Sequence, residues 1–205
     1  YNWTGLYLIA TFPSRHYDIE KYPAVKNYLL GFGIERLEQT GKSHIVNGEK
    51  IKARKKTNNK WFETQDSISY WEDFSKPKIM YPNMTKYIPF YFDEKNFLQN
   101  DKSFMITGKH IAYLTAFLNS SIFKFCFLDK FPELQGGTRE LRKIFFDKIP
   151  VLKVSDKENE IFKSLVTDIQ NDYKKEKAIL IDERLFELYG LSKEERISIG
   201  YIEIK

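Results

Sequence analysis

Ile161, Leu165, Ile169 and Tyr173 fall four residues apart, with Phe162 and Val166 beside them. Helical geometry places such a series on one stripe, so the spacing predicts a helix from about Asp156 to Lys177. An apolar stripe has to be covered, either by the rest of the chain or by another domain. Ile181–Tyr189 reads as a second helix, closed by Gly190 as a left-handed cap. Ser192 and Glu195 have capping-box spacing for a last helix.

The first 150 residues follow a different pattern. Leu6–Phe12 reads as a buried strand halted by Pro13. Ala24–Gln39 reads as a helix to about Leu30, a bend at Gly31 and Gly33, and a further turn through Leu37. Thr40 to Asn59 is poor in apolar residues and reads as a long exposed loop or a hairpin. Lys78–Pro82, Pro89–Phe92 and Ser103–Thr107 are short strand candidates separated by turns. Ile111–Leu118 and Ile122–Leu128 read as helices, with Asn119-Ser120-Ser121 capping the second. Thr138–Phe146 is a further short helix. The fold expected is α+β: a mixed or antiparallel sheet body with packed helices and a helical C-terminal segment. The change of pattern places a boundary near 152, giving a body over 1–152 and a helical packing segment over 153–205.

Charge changes at the same place. Residues 1–152 carry 23 Lys/Arg against 16 Asp/Glu, and residues 153–205 carry 10 against 12. A basic body joined to a slightly acidic end favours a polyanion on one part only.

Several chemistries are excluded. One cysteine, Cys126, allows neither an intrachain disulfide nor a cysteine-built zinc site. Its aromatic neighbours predict a buried small hydrophobe. His16, His44 and His110 stand at no metal-ligand spacing, and no Gly-rich nucleotide fingerprint or phosphate loop occurs. Glu203-Ile204-Lys205 resembles the acid–lysine pair of a nuclease strand but lacks an upstream acidic partner. Asn2-Trp3-Thr4, Asn83-Met84-Thr85 and Asn119-Ser120-Ser121 match the glycosylation pattern by chance. No apolar run is long enough to span a bilayer, and no signal-peptide pattern is seen. The expected setting is cytoplasmic, without membrane contact. The start on an aromatic segment without Met suggests a piece of a longer polypeptide.

From Arg36 to Lys60 there are eight Lys/Arg against Glu38 and Glu49, with His, Ser, Thr and Asn interleaved. These are the residue types that neutralise phosphates and contact base edges. A simple solvated loop has the same composition. The residues expected on DNA are Lys42, His44, Lys52, Arg54, Lys55, Lys56 and Lys60, joined by Lys86 and Arg139. Lys52, Lys55 and Lys56 are assigned to phosphates, and Arg54 and His44 to base edges. Arg139 follows Gly136-Gly137, where close backbone approach before a helix would suit a phosphate. Tyr22, Trp61, Lys78, Asn119 and Pro150 are read as scaffold.

The order of several segments is familiar. Tyr22-Pro23-Ala24-Val25-Lys26-Asn27-Tyr28-Leu29-Leu30, Arg36-Leu37, Ala53-Arg54-Lys55-Lys56, Lys60-Trp61-Phe62-Glu63-Thr64-Gln65-Asp66 and Lys76-Pro77-Lys78-Ile79 come first. Ser103–Thr107, Tyr113–Ser120, Gly136-Gly137, Lys148-Ile149-Pro150-Val151 and Ile181-Asp182-Glu183 … Leu188-Tyr189-Gly190-Leu191 follow. Together they resemble the C-terminal specificity, or target recognition, domain of adenine-N6 DNA methyltransferases and type IIG restriction-modification enzymes. The resemblance implies sequence-specific recognition of double-stranded DNA beside an upstream methyltransferase domain of the same polypeptide. S-adenosylmethionine, and Mg²⁺ where a nuclease is also present, would belong to those other domains. The methyltransferase's Asn-Pro-Pro-aromatic motif is absent here, so the segment is expected to be non-catalytic and to bind neither cofactor nor metal. The alternative reading is a protein–protein interaction module, for which the helical tail is equally suited.

Overall fold

The computed structural model describes residues 3–202, whose contacts divide them into two units between Trp71 and Glu72. The change of charge near 152 falls inside the second unit.

In the N-terminal unit, Pro23 supplies the preset φ of a first helical residue and opens α1 (Pro23–Leu30). Gly33, at φ +86°, turns the chain into the short α2 (Ile34–Leu37). The basic segment then forms an antiparallel hairpin, β1 (Ser43–Val46) with β2 (Glu49–Lys52). Its turn residues, Asn47 and Gly48, both have positive φ, as a two-residue type I′ turn requires. Leu6–Phe12, expected as a buried strand, forms none. Leu6, Tyr7 and Leu8 are exposed, and Thr11 ties the segment in, its carbonyl accepting from the Thr64 amide at 2.9 Å. An apolar run needs a ladder partner to become a strand, and no strand pairs with this one among the described residues.

The C-terminal unit is built on a three-stranded antiparallel sheet. Its strands are β3 (Lys78–Pro82), β5 (Tyr91–Asp93) and β6 (Ser103–Thr107), with β3 central. A smaller pair joins β4 (Met84–Thr85) to β7 (Arg139–Glu140). Against the sheet lies α3 (Ile111–Leu118), apolar nearly all round and buried accordingly. The Ser120 hydroxyl caps α4 (Ser121–Phe127) by accepting from the Phe123 amide. After α5 (Lys143–Phe146), α6 (Asp156–Asn171) packs on α3, and α7 (Lys175–Leu188) packs on α6. The final helix, α8 (Lys193–Ile199), begins with the expected capping box.

Phe117, Phe123, Phe131, Phe162 and Phe186 are all almost fully buried, each stabilising the fold by about 1.5–3 kcal/mol relative to exposure. Phe162, Leu185 and Phe186 share one cluster with Ile79 of the central strand and Phe117 of α3. The helical tail thus completes this unit's own core. Polar groups close the remaining edges. The Gln170 amide on α6 both accepts from the Phe92 N–H (2.7 Å) and donates to its carbonyl (3.0 Å), completing the edge strand β5. Asn119 donates to the Phe90 carbonyl at 2.8 Å, and Lys78 is buried against Asp93, so both hold the scaffold as expected.

Three expectations change. Asp172 leaves helical geometry, so α6 ends at Asn171 and Tyr173 is exposed. The Lys177 ammonium covers this helix end, bonding the carbonyls of Asp168 and Asp172 and the Asp168 carboxylate. Thr138–Phe146 splits into β7 and α5, because Arg139–Glu140 pair with β4. Cys126 is exposed, since α4 buries Ser121, Ile122 and Phe123 instead. No single helix among the described residues is long and apolar enough to cross a membrane. Glu203-Ile204-Lys205 and Asn2 lie outside the described residues.

Candidate nucleic-acid interface

Up to Trp71 the sequence holds 11 Lys/Arg against seven Asp/Glu, so the N-terminal unit carries most of the chain's net +5. The hairpin concentrates it. Lys42, Lys50, Lys52, Lys55, Lys56 and Lys60 are all exposed. Among the described residues Lys42, Lys50, Lys52 and Lys56 form no ion pair. Lys55 stands 3.9 Å from Asp66, a separation worth little between two exposed charges. Lys60 lies over the Phe62 ring at 5.7 Å.

An isolated two-stranded hairpin is marginal in water. This one is fixed at its base by four backbone hydrogen bonds. Gly41 N–H donates to Arg54 (2.8 Å), Ala53 to Lys42 (2.9 Å), Arg54 to Glu38 (3.0 Å) and Thr57 to Gln39 (3.0 Å). Gly41, at φ +71°, lets the two segments close, with Lys56 3.5 Å from where a Cβ would stand. Beneath lies a polar knot. Buried Gln39 donates to the carbonyls of Lys60 and Glu63 and accepts from the Thr57 hydroxyl at 2.6 Å. Asn59 donates to the carbonyls of Thr64 and Gln65. The Glu63 carboxylate accepts from the Lys60 amide at 2.7 Å. The lysines therefore project from a braced frame.

Arg54, expected at a base edge, belongs to that frame. Its guanidinium donates to the carbonyls of Leu37 (2.8 Å), Glu63 (2.9 Å) and Trp61. His44 also turns inward, its Nε2 buried and 3.6 Å from Glu38 Oε2. The reason is pairing parity. Opposed residues of an antiparallel ladder share a face, so His44 and Ile51 lie on one side while Ser43, Ile45, Lys50 and Lys52 lie on the other. Ile45 is 81% exposed on that outer face, and nothing in the charge pattern of the segment points to it. The signal available was the Asn47-Gly48 pair, which fixes the register.

In the C-terminal unit the pairing of Thr85 with Arg139 brings Lys86 beside the Gly136-Gly137 turn. Lys86 Nζ lies 3.8 Å from where a Cβ on Gly136 would stand. Arg139 is a clamp within this unit, donating to the Phe131 carbonyl (2.8 Å), Asp129 (2.9 Å) and Glu133 (3.1 Å). Gly136-Gly137 opens into β7, and no helix N-terminus follows it, so the pair offers no dipole to a phosphate. Lys86 stays exposed and is the cation this patch presents.

A groove of about 840 Å³ in the same unit is lined by Lys86, Asn119, Lys124, Ile169, Tyr173 and Asp182 among others. Burial pushes the Asp182 carboxyl above its ordinary range. Both its oxygens already accept backbone amides, from Ser121 (2.9 Å) and Ile202 (3.1 Å). They hold structure and leave no lone acid in the groove.

No match to the chain is found among curated proteins. Residues 25–151 match the family described as TaqI-like C-terminal specificity domain. The matched stretch runs from α1 through the hairpin, the three-stranded sheet and α5, and stops before the three last helices. The chain therefore belongs to the TaqI-like C-terminal specificity domains, the target-recognition modules of restriction-modification and methyltransferase systems.

Proposed function

We propose that this chain binds double-stranded DNA in a sequence-specific manner and positions an adenine-N6 methyltransferase domain of the same polypeptide on its target. The observation that carries this reading, beside family membership, is the braced hairpin with Lys42, Lys50, Lys52 and Lys56 exposed and unpaired among the described residues. Flexible ammonium groups on a fixed ribbon suit phosphates flanking a groove. Lys55, Lys60 and, on the other unit, Lys86 extend the set of candidate phosphate contacts. Arg54 supports the frame that presents the hairpin lysines, His44 lies on the inner face of the ribbon, and Arg139 clamps the turn beside Lys86 within its own unit.

Transfer of the methyl group would be the work of the partner domain, with S-adenosylmethionine bound there. A type IIG arrangement would add a Mg²⁺-dependent nuclease further upstream. Trp3, Leu6, Tyr7 and Leu8, each more than half exposed, are the apolar surface with which this chain would meet a neighbouring domain. Selection from a pool of random duplexes tests the reading. Enrichment of a defined motif is expected, and recovery of an unenriched pool would refute it.

A further inference from the structure

The outer face of the hairpin places one apolar side chain among cations. Ile45 is opposed to Lys50, and Ser43 to Lys52, so these four side chains share that face. All four are exposed, Ile45 to 81%. Strand propensity alone accounts for Ile45 poorly, because Thr serves a pleated position as well without leaving an apolar surface in water. Nor does Ile45 serve the unit's core, since the inward side chains of the ribbon are those of His44, Val46 and Ile51.

Duplex DNA has a surface that matches this arrangement. The major groove, about 12 Å wide, admits a two-stranded ribbon. Its walls are phosphates, and the apolar group on its floor is the thymine C5-methyl. The narrow Asn47-Gly48 turn leads the ribbon, and no bulky side chain stands at its tip. The bracing at its base lowers the ordering cost of insertion. A protein partner fits less well, because Lys42, Lys50, Lys52, Lys55 and Lys56 would all have to find acidic partners around a single isoleucine.

We propose that Ile45 is a specificity-determining residue that packs on the methyl group of a thymine in the major groove, with Lys50 and Lys52 held by the adjacent phosphates. This inference rests on the duplex-recognition reading and deepens it. Burying one methyl group contributes about a fourfold change in affinity.

The test uses the duplex recovered by selection with the wild-type chain. Each of its thymines is replaced in turn by uracil, which lacks only the methyl group, and Kd is measured for the wild type and for Ile45→Ala. One uracil position should weaken wild-type binding about fourfold and leave Ile45→Ala unaffected. Ile45→Ala should weaken binding to the thymine duplex at least as much, and its own selected motif should lose preference at that position alone. The uracil arm needs no protein variant, so folding of the variant does not decide the result. If the wild type is insensitive at every thymine, or Ile45→Ala keeps the full motif and affinity, the role of Ile45 is overturned while duplex recognition stands. A wild-type chain that enriches no motif would overturn both.

Discussion

The guanidinium of Arg54 donates to the carbonyl of Leu37 at 2.8 Å, tying the strand that leaves the hairpin to the end of the helix that precedes it. The same side chain holds the carbonyls of Glu63 and Trp61. Only a planar fork of donors spans three acceptors in this way. Arg54→Ala leaves them unpaired, at a cost of about 1–3 kcal/mol for each that water does not reach. A total loss of about 2–4 kcal/mol in urea unfolding is expected, and Arg54→Lys should recover little of it. The motif selected by any folded fraction should be unchanged. A stable Arg54→Ala chain with an altered motif would place this side chain on a base.

Lys78 and Asp93 are opposed across β3 and β5, and both are wholly buried. The ammonium also donates to the Phe74 carbonyl at 2.8 Å, and the carboxylate accepts from the amides of Lys95 and Phe97. Breaking such a pair from one side leaves a buried charge, which costs about 3–5 kcal/mol. Lys78→Met and Asp93→Ala should each destabilise by this order. Asp93→Ala should cost more, because two amides also lose their acceptor. Urea midpoints of the single and double variants measure the coupling, and additive losses would show that the pair is not coupled.

Burial, with Asp147 nearby, pushes the Tyr81 hydroxyl up to about 12. Burial also raises Tyr113, helped by its 2.9 Å contact with the Tyr189 hydroxyl. A phenol whose folded pKa exceeds its unfolded one stays protonated in the fold after the unfolded chain has ionised. Stability from Tyr81 is therefore full below about pH 10 and falls as pH rises from about 10 to about 12. Unfolding followed across this window should show the decline, and Tyr81→Phe should reduce it. An equal slope in the variant would assign the decline to other groups.

Much of the architecture was legible because it rests on local rules. Spacing of Ile161, Leu165 and Ile169 marks α6, and Ser192 with Glu195 marks α8. The α+β class follows from short strands bounded by turns. What failed was long-range. Leu6–Phe12 has the composition of a buried strand, but composition does not supply a ladder partner. Cys126 sits among aromatics in sequence and on the outer side of α4 in space. At the candidate site, the basic segment was visible as charge, whereas the direction of each side chain was not. Arg54 and Lys55 are neighbours of like charge, yet one enters the frame and the other faces solvent. The register set by Asn47-Gly48 separates Ile45 from His44, a distinction carried by the turn pair and not by charge or composition.

If the hairpin lysines lie on DNA phosphates, duplex binding should depend on salt through those contacts. Duplex affinity of the wild type is compared across salt concentrations with a variant in which Lys50, Lys52, Lys55 and Lys56 are all alanine. Each phosphate contact contributes about 0.9 to the log–log slope, so the variant should bind more weakly, with a slope shallower by at least about 2. A variant with the wild-type slope would show that these lysines are not on phosphates and would move the footprint away from the hairpin.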